Sequence, residues 1–108
     1  MKFITFKIHN KMVAIPVGKY LLEPTQINKI KPAKTVGLKV GEINYRGQNV
    51  DVVDISKLLK KRNLKKFDGL LFVHKEDSDF AIKFEGFFKV KPELEDEEVL
   101  IEIDKIMT

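Results

Sequence analysis

The chain has 108 residues, of which 44% are hydrophobic and none is cysteine. A chain of this length forms one domain with one or two small cores, so we expect a single domain over residues 1–108. The lack of cysteine excludes disulfides and thiolate metal sites. No apolar run approaches the roughly 20 residues that cross a bilayer, and the first residues lack the pattern of a signal peptide. These features predict a cytoplasmic protein.

The net charge of +4 is distributed unevenly along the sequence. Eight lysines face one acid, Glu23, between Met1 and Lys39, whereas seven acids face two lysines between Lys91 and Thr108. Such asymmetry is compatible with a partner surface or a weak homodimer, in which the acidic segment 93–98 meets the lysine-rich first third. An ordinary solvated surface in a protein rich in lysine and glutamate is the more common cause of such a pattern.

The first forty residues predict strands separated by turns. Ile4 to Ile8 alternates and is expected to form a hairpin with Met12 to Val17. Tyr20 to Glu23 is a short extended piece, and the polar run Thr25 to Thr35 predicts a loop with at most one turn of helix. Val36 to Val40 alternates again and predicts the strand that leads into the next hairpin.

The most informative stretch runs from Gly41 to Leu59. Two arms rich in β-branched and aromatic residues flank a polar corner, in which Gly47 can take the positive φ of a tight turn. The period changes at Asp54, which is predicted to cap a short helix. The stretch therefore predicts a rigid hairpin with a cationic tip, a common position for a recognition contact.

The second half of the chain also predicts strands. Gly69 to Val73 is nearly continuous apolar sequence, as in a strand that is buried on both faces. Phe80 to Phe84 alternates, and Gly86 to Val90 continues this strand or bends it at the glycine. Val99 to Asp104 is expected to be a final strand. Many strands with short turns favour a barrel-like all-β domain.

Signals for catalysis are weak. His9 and His74, the two histidines of the chain, each stand beside a predicted turn, and no phosphate-binding loop or nucleophile motif is present. Asp51 and Asp54 point to opposite faces of a strand, and Asp54 has a role as a helix cap. The run 76–79 lacks the glycine and the distal glutamate of a calcium loop. We therefore predict no enzymatic activity, no cofactor and no metal.

A small basic β-barrel that binds nucleic acid is the alternative function. The run Lys60 to Lys66 is the most basic part of the chain, and small barrels with exposed aromatic rings bind single strands by stacking. The phenylalanines, however, stand in apolar contexts that are typical of a core. These are Phe6, Phe72, Phe84, Phe87 and Phe88. The pattern therefore disfavours nucleic acid as the partner.

Arg46 stands at the tip of the predicted hairpin and allows two interpretations. Its planar guanidinium suits paired hydrogen bonds to a carboxylate across an interface. It could equally fold back onto a carboxylate of its own hairpin, such as Glu42 or Asp51. The residues alone do not separate a binding site from a structural ion pair.

The corner resembles the central signature of the CheW-like domain family. The signature is Gly-x-x-Asn-x-Arg-Gly, followed after a short arm by Val-Val-Asp-Ile and a Leu-Leu helix. The opening hairpin, with its Ala-Ile-Pro-Val run at residues 14–17, and the strand Phe80 to Glu85 match the family in the same order. The resemblance extends over about two-thirds of the chain.

CheW-like domains are adaptors that couple chemoreceptors to a CheA-type histidine kinase. The resemblance implies an all-β fold of two small intertwined β-barrel subdomains, the second abbreviated here, with one short helix after the central hairpin. It also implies a protein without catalytic activity, with two partners: the regulatory domain of a CheA-type kinase and the cytoplasmic tip of a chemoreceptor. The partner-binding residues that it implies are Asn44, Arg46, Gly47, Val52 and Val53.

Three departures from the family pattern affect these expectations. The Pro-x-x-Pro-like approach before Gly41 is reduced to Pro32, which is out of step with the family. Asp51 stands where the family usually has proline. The family also has a further hairpin between the strand near Phe84 and its last strand, where this sequence has only residues 91–108. An abbreviated second subdomain is expected to leave an unpaired strand edge, which is either blunted by charge or covered by another chain.

Overall fold

The computed structural model describes residues 2–76 and 78–106, and these form an all-β fold. The strands are β1 (Lys2–Ile8), β2 (Lys11–Val17), β3 (Leu21–Thr25), β4 (Lys31–Val36), β5 (Lys39–Tyr45), β6 (Gln48–Val53), β7 (Gly69–His74), β8 (Phe80–Lys91) and β9 (Val99–Leu100). Two short 3₁₀ helices, Ile55–Leu59 and Ile103–Lys105, accompany them. Neither helix of this described part is long and apolar enough to span a membrane.

The long strand β8 joins two groups of strands. Its first half, Phe80 to Phe84, pairs with β7 in antiparallel and with β6 in parallel orientation. Its second half, Glu85 to Lys91, pairs with β1 and with no other strand of the described residues. The sheet continues from β6 through β5 to β4, from β7 to β3, and from β1 through β2 to β9. One strand therefore belongs to both groups.

Neither group closes into a barrel. Within residues 2–76 and 78–106, no pairing joins β3 to β4 in one group or β9 to β8 in the other. The all-β class is confirmed, and the pairings among these residues do not close either of the two expected β-barrel subdomains. In the group that contains β8, β1, β2 and β9, the last strand, β9, has only two residues. It is too short to bridge the gap to β8.

Two apolar clusters form the core, on opposite faces of the β6–β8–β7 region. The larger draws side chains from both strand groups, including the fully buried Phe6, Ile55 and Phe80. The smaller contains Val50, Val52, Leu70, Phe72 and Ala81. Since successive residues of a strand point to opposite faces, β7 contributes alternately to both clusters. Its predicted burial on both faces is confirmed.

Residues 25–40 differ from their predicted structure. The β1–β2 hairpin is confirmed, but the expected loop over 25–35 contains β4, whose six residues are all exposed. An edge strand with both faces in solvent has no apolar alternation, so its sequence looks like a loop. The expected strand over 36–40 is instead divided by a turn, in which Gly37 has φ 59°.

The end of β8 and the segment after it also differ from expectation. Phe6, Phe72 and Phe84 are core residues as predicted, whereas Phe87 is 83% exposed and Phe88 is 38% exposed. The second half of β8 has one paired neighbour instead of two, which leaves these rings uncovered. The expected strand over 99–104 is reduced to β9 followed by a 3₁₀ helix, and the last two residues of the chain lie outside the described ones.

Candidate partner-binding site

The hairpin tip between β5 and β6 is a two-residue turn, because Tyr45 pairs with Gln48. Arg46 has φ 52° and Gly47 has φ 80°, and two central residues with positive φ define a type I′ turn. The positive φ expected for Gly47 is confirmed. Arg46 adopts positive φ although its Cβ disfavours it, so the turn fixes where the arginine side chain leaves the backbone.

The guanidinium of Arg46 folds back onto a neighbouring strand. Its Nη2 lies 2.8 Å from Oε2 of Glu23 on β3, and the guanidinium carbon lies 5.0 Å from the centre of the Tyr45 ring. The side chain is still 70% exposed, so donors of the guanidinium remain open to a partner. The ion pair that the sequence allowed therefore exists, but its carboxylate is neither Glu42 nor Asp51.

Glu42 and Asp51 are instead paired with a lysine at the base of the hairpin. They lie opposite each other on β5 and β6, and Lys39 Nζ is 3.0 Å from an oxygen of each. The hydrogen bonds to Asp51 and Glu42 raise the pKa of Lys39. The bond from Lys39 lowers the pKa of Glu42. This cluster of Lys39, Glu42 and Asp51 connects the two arms of the hairpin. Arg46 forms its ion pair with a different strand, β3.

Glu23 joins the tip to the neighbouring strands. Its Oε2 accepts a hydrogen bond from the Tyr45 hydroxyl at 2.8 Å as well as the bond from Arg46. Its Oε1 lies 3.1 Å from Nε2 of His74. The bonds from Tyr45 and His74 lower the pKa of Glu23, and the bond to Glu23 raises the pKa of Tyr45. One carboxylate therefore fixes both side chains at the tip.

His74 extends this network to the turn before β8. Its Nδ1 lies 2.9 Å from Oδ2 of Asp79, so each ring nitrogen faces a carboxylate oxygen. Only the imidazolium form can donate to both carboxylates at once. The hydrogen bond to Asp79, with that to Glu23, outweighs burial and raises the pKa of His74. The ring thereby links β3, β7 and the start of β8.

No sequence pattern predicts that Glu23, His74 and Asp79 form one hydrogen-bond network. The histidine and its distant carboxylate are 51 residues apart, and the bond from Tyr45 to Glu23 spans 22 residues. Contacts at these separations leave no local periodicity. One signal was present in the composition: Glu23 is the single acid among eight lysines before residue 40.

The other residues implied by the resemblance occupy two kinds of position. Asn44 is exposed and lines a shallow groove with Ile30 and Asn49. Val52 and Val53 are fully buried, one in each apolar cluster. A contribution of these valines to partner binding would therefore act through the position of the hairpin, whereas Asn44 can reach a partner directly.

Asp54 fixes the segment that follows the hairpin. Its carboxylate accepts hydrogen bonds from Ser56 N at 2.9 Å and from Leu64 N at 2.6 Å. The predicted cap is confirmed, although the helix that it caps is a 3₁₀ helix. Because the same buried carboxylate binds both ends of the segment, it holds the cationic residues 60–66 in a defined loop on the surface.

The arrangement at the tip suits recognition. Within residues 2–76 and 78–106, no group of three or more histidine, aspartate or glutamate side chains is placed to hold a metal ion. The tip presents one exposed guanidinium, held from behind by Glu23 and Tyr45. Chemically it can donate hydrogen bonds and a positive charge to a carboxylate or carbonyl on another surface.

The all-β sheet arranged around one long strand, with an Arg-Gly corner between β5 and β6, has a CheW-like fold. Among solved structures, the chain is similar to the scaffolding protein TtCheW from Thermoanaerobacter tengcongensis, with a TM-score of 0.67 and 20% sequence identity over 88% of this chain. The chain spans 63% of the length of that protein. No protein-family model and no curated protein matches the sequence. The structural likeness confirms the predicted resemblance in fold.

Proposed function

We propose that the chain is a non-enzymatic adaptor that acts through protein–protein contacts in a chemotaxis or related signalling array. The observation that carries the proposal is its structural likeness to a protein described as a scaffold. The partners that we propose are the regulatory domain of a CheA-type histidine kinase and the cytoplasmic tip of a chemoreceptor. Both would place the adaptor in the cytoplasm.

Arg46 is the contact that we propose at the corner. Glu23 and Tyr45 hold its side chain in one position, which reduces the entropy lost when a partner immobilises it. The side chain is 70% exposed although it is paired with Glu23, and Asn44 lies exposed on the same hairpin. Arginines of this kind are frequent hot spots of protein interfaces.

The test is calorimetric binding of a CheA-type regulatory domain and of a receptor-tip fragment from the same cell. Arg46→Ala is expected to weaken one of these interactions by about 1–3 kcal/mol. Its free energy of unfolding should change by no more than about 0.5 kcal/mol, because exposed ion pairs stabilise proteins weakly. Glu23→Gln, which retains the size of the side chain, should reduce affinity less, because Arg46 is freed rather than removed.

Arg62→Ala is the matched control, since Arg62 is the other arginine of the chain and is exposed on a different loop. It should leave both affinities unchanged. Equal losses in the two variants would contradict a specific role of the corner. A lower melting temperature of Arg46→Ala with unchanged binding would assign Arg46 to structure alone.

Nucleic-acid binding remains the alternative function. The exposed rings of Phe87 and Phe88 and the cations of residues 60–66 favour it, but the rings of Phe6, Phe72 and Phe84 are buried and cannot stack on bases. Binding of labelled DNA or RNA whose affinity falls with salt, with a slope of about −0.9 for each neutralised phosphate of duplex DNA, would support the alternative over the adaptor.

A further inference from the structure

The second half of β8 has an open edge. Asp68 completes the pairing on the β7 side, because its N–H donates to Phe84 O at 2.8 Å and its carboxylate accepts from Gly86 N at 2.6 Å. From Phe87 to Lys91, β1 is the one paired neighbour in the described part of the chain. The backbone groups of the other edge are therefore available to a further strand.

The side chains of this half are apolar as well as exposed. Phe87 is 83% exposed and Val90 is 57% exposed, with Phe88 between them at 38%. An exposed strand edge with large apolar side chains is a template for the addition of another strand. Lys89 is the one charge between Gly86 and Lys91, and a single lysine blunts such an edge only partly.

There is room beside the edge for an added strand. A cavity of about 780 Å³ lies at the start of this half, lined by residues that include Asn28, Asp68 and Phe87. The cavity is bounded by the segment that follows β3 and by the residues that precede β7. An incoming strand would therefore cover both the unpaired backbone and the exposed Phe87 ring.

The far end of this half leads into acidic residues. Lys91 Nζ lies 3.2 Å from a carboxylate oxygen of Glu95 and of Glu98, which neutralises one charge of that pair. Glu93, Asp96 and Glu97 are exposed, and no ion pair to them occurs within residues 2–76 and 78–106. This end of the strand is therefore negatively charged.

The start of the second half of β8, at Glu85, lies beside basic residues. Arg62, Lys65 and Lys66 line one cavity together with Glu85, the residue at which the second half begins. Among the described residues, none of these three cations takes part in an ion pair. Opposite charges therefore stand near the two ends of the second half of β8.

We propose that two copies of this chain pair in antiparallel orientation along residues 87–91 of β8. Antiparallel pairing sets the Lys91 end of one copy against the Phe87 end of the other. Each acidic segment, residues 93–97, then faces the basic loop, residues 60–66, of the second copy. A two-fold interface repeats every contact, so both charge pairings form at once and the exposed phenylalanine rings are buried between the copies.

This proposal does not depend on the adaptor function. It assigns the basic side of a homodimer to residues 60–66, whereas the charge distribution of the sequence suggested the lysine-rich first third.

Sedimentation equilibrium should show a dimer at low salt that dissociates as salt rises, because exposed charge pairs are screened over about 8–10 Å at physiological ionic strength. Amide hydrogen exchange of residues 87–91 should slow as the protein concentration rises.

Two single variants test the edge. Phe87→Glu should weaken the dimer by about tenfold or more, as expected for a large apolar contact that is buried in an interface. Val36→Glu is the matched control, because Val36 is 68% exposed on the edge strand β4 of the first third, and it should leave the dimer unchanged. Equal weakening by both variants would overturn the assignment to β8.

A charge exchange tests the orientation of the pairing. Lys66→Glu and Glu97→Lys should each weaken the dimer by about fivefold, since each removes two exposed charge pairs. The variant that carries both substitutions should recover the wild-type affinity. Failure of this recovery overturns the antiparallel arrangement. A wild-type monomer at low salt up to high micromolar concentration overturns the dimer itself, independently of whether any variant folds.

Discussion

The two halves of β8 have similar sequences and opposite environments. Residues 80–84 read Phe-Ala-Ile-Lys-Phe and are all buried, whereas residues 87–90 read Phe-Phe-Lys-Val and are all exposed. The first half has a paired strand on each edge, and the second half has one paired neighbour. Burial within this strand therefore follows the number of neighbours that the fold supplies, and hydrophobicity alone does not determine it.

Truncation of one phenylalanine in each half gives the largest expected difference. Phe80→Ala should lower the free energy of unfolding by about 3–5 kcal/mol, because it leaves a cavity in the larger core. Phe87→Ala should change it by no more than about 0.5 kcal/mol. Urea unfolding at low protein concentration measures both. Comparable losses would show that Phe87 is buried in solution, contrary to the structure.

The two lysines of β8 provide a smaller effect. Burial lowers the pKa of Lys83 below its usual 10.5, although its ammonium lies 4.9 Å from the centre of the Phe67 ring. The Lys83 ammonium therefore loses its proton at a lower pH in the native state than in the unfolded state. The free energy of unfolding should then rise as the pH increases towards 10.5. Lys83→Met should stabilise the protein at neutral pH by about 1 kcal/mol and flatten this pH dependence.

Lys89→Met is the matched control for that substitution, since Lys89 is exposed on the second half of the same strand. It should change neither the stability nor its pH dependence. A destabilised Lys83→Met would show that the attraction of the ammonium to the Asp54 carboxylate and its contact with the Phe67 ring outweigh the cost of burying the charge.

The smallest expected effect concerns the ion pair between His74 and Asp79, the residue directly before the buried half of β8. The hydrogen bond to Asp79 is the main cause that raises the pKa of His74 in the native state. The stabilisation by protonated His74 is therefore complete below the unfolded-state pKa of 6.5. It is lost as the pH rises through the higher native pKa. The stability difference between wild type and His74→Gln should therefore shrink with rising pH. Urea unfolding over a pH series measures it, and a difference independent of pH would contradict a protonated His74.

Local chemistry made part of this fold predictable. The β1–β2 hairpin follows from alternation, the burial of β7 from its continuous apolar run, and the turn at Gly47 from the need for positive φ. The cap at Asp54 follows from a change of period. Each of these features depends on residues within a few positions of one another.

The features that sequence could not predict depend on distant neighbours. β4 is exposed on both faces, so its polar residues resemble a loop, and the exposure of Phe87 depends on which strands lie beside it. At the candidate site, Gly47 and the exposure of Arg46 were predictable. The bond between Arg46 and Glu23 joins separate strands, and a single sequence has no periodicity that records it.

The pairing of β1 with the second half of β8 also has a consequence for the order of folding. Phe3 lies opposite Lys91, so during synthesis the β1–β2 hairpin must wait for most of the chain before it acquires its second neighbour. A hairpin alone is marginally stable in water, and folding slows when contacts join distant parts of a sequence. We therefore expect the β1–β2 hairpin to be weakly structured until β8 is available, and its pairing with β8 then joins the two strand groups.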